Sequence, residues 1–163
     1  MAKEYIFEIN RWKKEDFMYA YSPACIKHTE FLQNKSCISN SFSEEINDFN
    51  YISMVTKEKY KSGVTISTKC SFERFGAPLV VISDDINNTD GINIYGLHFE
   101  IVAYEKGINV WRIVPWPENT QRPIKTLKIG CLEFDVKNNN AFDLKIQVVN
   151  NGFICTLNEK SLK

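Results

Sequence analysis

The sequence predicts an all-β protein, a two-layer antiparallel sandwich of jelly-roll type. Three observations carry the prediction. Residues 62–114 hold a tandem of extended patterns, broken by one Asp/Asn-rich loop, SDDINNTDG. Residues 144–157 hold two alternating runs around Asn150-Asn151-Gly152, a composition that favours hairpin turns. No segment longer than ten residues carries the 3.6-residue apolar period of an amphipathic helix. Eight to eleven strands in 163 residues suit two stacked sheets, with a β-barrel as the next choice.

Residues 1–48 are the least readable. Tyr5 to Ile9 is a candidate short strand. Trp12 to Tyr21 is aromatic-rich, and Pro23 ends it; a further strand is expected within Phe31 to Phe42, and a turn from Ser43 to Asp48. Tyr51 to Val55 reads as a short strand. Val64, Ile66, Thr68, Cys70 and Phe72 then alternate with Thr65, Ser67, Lys69, Ser71 and Glu73, the period of a strand with one buried face. Phe75-Gly76 turns the chain. Ala77 to Ile82 is apolar on both rows, as in a central or doubly covered strand.

Ile94 to Glu105 is the longest strand candidate. Its row Tyr95, Leu97, Phe99, Ile101 and Ala103 is apolar and should face the core. Glu105-Lys106-Gly107 is a hairpin turn, with Gly107 taking a positive φ. Ile108 to Val114 returns antiparallel. Pro115 and Pro117 bar its continuation as an inner strand, so 115–123 is a loop. Ile124 to Gly130 and Cys131 to Val136 read as two short strands, and 137–141 as a turn. The chain is read as one domain spanning 1–163.

Charge and composition exclude several classes. Lys plus Arg and Asp plus Glu are both 20, so no basic field marks a nucleic-acid partner. No apolar run approaches the ~20 residues of a spanning helix, and no secretory leader pattern opens the chain. Five widely spaced cysteines, with no CxxC, suit reduced thiols in a cytoplasmic protein.

Three strings, YISMVTKEKYKSGVTISTKCSFERFGAPLVVIS, YGLHFEIVAYEKGINVWRI and FDLKIQVVNNGFICTLNEKSL, carry a resemblance over residues 49–160. The pattern resembles the concanavalin A-like lectin/glucanase superfamily, including its laminin G-like modules. The likeness rests on strand order. It implies a jelly roll that holds sugars on a concave sheet or at the loop rim. Hydrolases of that superfamily carry an E-x-D-x-E string on one strand. This chain has none; its nearest approach is His98-Phe99-Glu100, with Glu105 further on.

The expected ligand site is therefore a polar row. His98, Glu100 and Tyr104 share one side of a strand, with Arg112 on the returning strand and Trp116 as an aromatic plate for a sugar ring. Trp111 is a second candidate for that plate, with core packing of its large apolar body as the favoured reading. The leading expectation is a lectin-like module that binds a saccharide without a catalytic acid pair. A glycoside hydrolase using Glu100 as one acid, with Glu73 or Glu105 as partner, is the second reading. A structural or protein-interaction domain, with a homodimer among its forms, is the third. Asp85, Asn87 and Asp90 are a partial oxygen set for calcium, beside the simpler reading of a solvated turn. No other cofactor signature is present. His28 is read as a surface residue.

Overall fold

Alternating side chains build the all-β architecture that the sequence predicts. The computed structural model describes residues 2–23, 53–72, 77–137 and 140–163, and the backbone of 32–33 and 38–39. The predicted turns at 43–48 and Phe75-Gly76, and Cys25, His28, Cys37 and Glu73, lie outside them. Fourteen strands are present among the described residues. They are β1 (Phe17–Tyr19), β2 (Leu32–Gln33), β3 (Ile38–Ser39), β4 (Met54–Thr56), β5 (Thr65–Cys70), β6 (Leu79–Ser83) and β7 (Ile86–Thr89). Then follow β8 (Ile92–Tyr95), β9 (His98–Tyr104), β10 (Gly107–Pro115), β11 (Ile124–Glu133), β12 (Phe142–Val149), β13 (Gly152–Leu157) and β14 (Lys160–Leu162). A single turn of 3-10 helix covers Lys14–Asp16, and the described residues hold no α-helix. None of their helices is long and apolar enough to cross a membrane.

The chain groups into two units. The first comprises Met1–Lys59, Asp85–Gly96 and Pro115–Ile124; the second comprises Tyr60–Asp84, Leu97–Val114 and Lys125–Lys163.

The second unit contains two four-stranded sheets, in the orders β11-β10-β9-β6 and β14-β13-β12-β5. Each is a run of three consecutive strands with one earlier strand added beside the first of them. β6 pairs antiparallel with β9, and β5 pairs antiparallel with β12. One apolar cluster draws on both sheets. Ile101, Ala103, Ile108 and Val110 come from one; Leu144, Ile146, Cys155 and Leu157 come from the other. All eight are at most 4% exposed, and each large aliphatic among them contributes about 1.5–3 kcal/mol by leaving water. Phe99 on β9 and Phe153 on β13 meet edge to face with centroids 5.0 Å apart. The predicted inward row of β9 is therefore present at Phe99, Ile101 and Ala103. β5 alternates exposed and half-buried residues along its whole length, as its period requires.

The first unit is held by smaller pieces. β1 pairs with β4, β2 with β3, and β7 with β8. A parallel bridge ties Tyr21 to Ile94. Tyr95 and Ser53 are buried and share a 2.6 Å hydrogen bond between their hydroxyls. Asn93 Nδ2 donates to the Tyr19 carbonyl at 2.9 Å. Tyr5, Phe7, Trp12 and Phe17 form a ring cluster.

Four expectations are corrected. Tyr5 to Ile9 is not a strand; 8–11 is a turn, and the rings pack instead. The run from Ile94 to Glu105 is two strands, not one. It breaks at Gly96-Leu97, where β8 stays with β7 and β9 joins the other unit. Among the described residues β6 is the end strand of its sheet, half-buried throughout, not a central one. Ile124 to Glu133 is one continuous strand. Gly130 lies within it, with the Leu162 side chain 3.1 Å from the place a Cβ would take.

Candidate functional site

Strand β9 positions the site. Side chains two apart on a strand share a face, so His98, Glu100, Val102 and Tyr104 stand opposite the core-facing row. The His98 imidazole is fully buried, and its Nε2 lies 3.3 Å from Glu100 Oε1. The Glu100 side chain is 15% exposed. The predicted grouping of His98 with Glu100 is thus present as a direct contact.

Register decides what stands beside them. The β9–β10 hairpin turns at Glu105-Lys106, with Tyr104 opposite Gly107. Gly107 takes φ +129, the positive value expected of it. Counting back, Trp111 stands opposite Glu100, and Ile113 opposite His98. On the other flank Val81 faces Glu100, and Ser83 faces His98. Directly opposed residues share a face. The carboxylate, the imidazole and Trp111 therefore belong to one side of this sheet, its outer face in the sense that it lies away from the apolar cluster; on it His98 and Ile113 are buried, and Glu100 and Trp111 are half-buried.

Arg112 does not join them. It stands opposite Phe99, with the core-facing parity, and is exposed near the end of β10. The expected alliance of guanidinium, imidazole and carboxylate on one row is corrected on that point. Trp111, expected in the core, is on the outer face instead. Tyr104 keeps the parity of the row, at its far end beside the turn, and is half-buried. Trp116 belongs to the first unit. Its backbone N–H donates to the Pro123 carbonyl at 2.7 Å, closing the proline-bounded loop, and its carbonyl accepts from Asn119 N–H at 3.0 Å.

Asn109, two residues before Trp111, shares the outer face. Its Oδ1 is buried with no hydrogen-bond partner. An acceptor left in that state costs about 1–3 kcal/mol.

The acidic stretch is a hairpin, not a loop. β7 and β8 pair from Ile86–Tyr95 to Thr89–Ile92, and the turn lies at Asp90-Gly91, both with positive φ. Asp85 precedes β7, and Asp90 follows it. Five residues of extended chain separate them by about 16 Å, whereas calcium takes its oxygens at 2.3–2.6 Å. Asp85, Asn87 and Asp90 therefore do not converge on one ion. Asp85 packs its carboxylate against Gly96, which gives this side chain a local structural role.

Nothing carboxylic occupies the four positions around Glu100. They are His98 and Val102 along the strand, and Val81 and Trp111 across it. Glu105 is in the turn, about 16 Å away along the strand. Two surface hollows of the second unit lie elsewhere. One is at Gly63 and the Asn150-Asn151 turn; the other is at Asp135, Lys137 and Asn158. Neither includes a residue of the outer-face row.

The described cysteines, Cys70, Cys131 and Cys155, are free thiols. Burial raises the Cys70 thiol pKa, and the hydroxyl of Thr68 partly offsets it. Burial alone pushes Cys155 from 9.0 to about 11. The chain matches no known protein family, no curated protein and no solved structure.

Proposed function

We propose that this chain is a lectin-like, non-catalytic carbohydrate-binding module. In this reading the two four-stranded sheets are the layers of a jelly-roll sandwich, and the protein works in the reducing cytoplasm. A saccharide lies on the outer face of β9 and β10. The supporting observation is the cross-strand pair Glu100–Trp111. A sugar ring offers an apolar face of C–H groups and a rim of hydroxyls. An indole takes the first, and a carboxylate accepts hydrogen bonds from the second. His98, in contact with Glu100, holds that carboxylate in place.

Hydrolysis needs a second carboxyl about 5–9.5 Å from the first. The positions flanking Glu100 provide none, which favours binding over bond cleavage. Glycan-array screening of the intact chain, followed by titration calorimetry on the best hit, tests the reading. Trp111→Ala and Glu100→Gln are each expected to weaken binding at least about tenfold, the loss of one good polar or stacking contact. Unfolding midpoints close to wild type would show that both variants keep their fold. An array without a hit, or a hit indifferent to both substitutions, would overturn the assignment.

A further inference from the structure

Strand β11 ends one sheet of the second unit, with β10 on one side and no strand on the other among the described residues. It is ten residues long. Gly130 lies against Val110 and Leu162 of the core-facing surface, so the alternate row points outward. That row reads Lys125, Leu127, Ile129, Cys131 and Glu133, and all five are exposed. Leu127 is 58% exposed and Ile129 47%. A long edge strand with an apolar outward row is a template for pairing with another strand.

We propose that the occupant is a second copy of the same chain, with β11 pairing antiparallel to β11 across a two-fold axis at Ile129. The row is self-complementary in that register. Ile129 meets Ile129, Leu127 meets Cys131, and Lys125 meets Glu133, each of the last two pairs occurring twice. A two-fold interface requires this reciprocity. Neighbouring registers that keep the same face outward are worse. Centring on Lys128 sets ammonium against ammonium. Centring on Gly130 sets Leu127 against Glu133 and loses the apolar centre. Cross-strand opposite charges stabilise a pair and like charges destabilise it, so the ends of the row select the register. Two four-stranded sheets would then become one of eight strands. The interface needs no disulfide, because each Cys131 faces a leucine.

Sedimentation velocity on the full chain in reductant is expected to show a concentration-dependent dimer. Lys125→Glu, or Glu133→Lys, converts two attractive pairs into two repulsive ones, and each is expected to weaken the dimer about tenfold. The double variant K125E/E133K restores opposite charges and is expected to return to near wild-type affinity. A separate readout needs no variant: amide exchange along β11 should slow as protein concentration rises. A wild-type monomer throughout the soluble range would overturn the proposal. So would single variants that dimerise like wild type, a double variant as weak as the singles, or β11 exchange independent of concentration. None of these readouts depends on a saccharide, so the interface stands or falls apart from the binding reading.

Discussion

At the scale of single residues, buried groups without charge set the pH behaviour. Cys155 is 1% exposed, and its thiol is pushed to about 11. The unfolded chain loses that proton near 9.0, before the folded chain does. Between these values the folded state binds more protons, so stability falls as pH rises from about 9 to about 11 and is fully retained below 9. Urea midpoints of wild type and Cys155→Ala, compared across that window, should converge as pH rises. Thiol alkylation of the native protein should reach the exposed Cys131 before Cys70 or Cys155, as mass mapping would show. In the first unit, Tyr95→Phe leaves the buried Ser53 hydroxyl without its 2.6 Å partner. The expected cost is about 1–3 kcal/mol in urea unfolding.

At the scale of elements, two glycines separate need from habit. A Cβ on Gly107 would overlap the Leu132 carbonyl oxygen, and φ +129 is already unfavourable for any other residue. Gly107→Ala is expected to cost about 3 kcal/mol or more. Gly152 has open space and no left-handed φ, so Gly152→Ala should stay within about 0.5 kcal/mol. Denaturant titration of both variants reads the contrast. β5 and the β12–β13 hairpin were legible in the sequence because one face is apolar and the other polar, and period two has no competing explanation there. β9 was legible for the same reason, but its start was not. Tyr95 and Leu97 continue the apolar row past the break, and nothing in the pattern marks Gly96-Leu97 as the change of sheet. The partner of Glu100 was within reach of the sequence. A turn at Glu105-Lys106 pairs even positions with odd ones, which sets Trp111, not Arg112, beside the carboxylate.

At the scale of the whole molecule, long-range pairing dominates. β5 at 65–70 pairs with β12 at 142–149, and β6 pairs with β9 across the β7–β8 hairpin. Such closures are slow, so stopped-flow refolding of this chain is expected in milliseconds to seconds, not microseconds. Leu144 sits fully buried in the cluster shared by both sheets, and Leu144→Ala should cost about 2–5 kcal/mol. Sheet membership was the part the sequence did not carry. Local periodicity identifies a strand and its wet side, but which distant strand lies beside it depends on the sum of packing over the finished core.

The β5–β12 pairing also matters during synthesis. At about 5–20 residues per second, roughly 4–15 s pass between emergence of β5 from the ribosome and that of its partner. For that interval the nascent strand has neither neighbour nor core. Its solvent-facing Thr65, Ser67 and Lys69 keep one side hydrated while it waits. Replacing them with aliphatics would leave the finished sheet nearly unchanged and make the unfinished chain prone to stick to its neighbours on the same message.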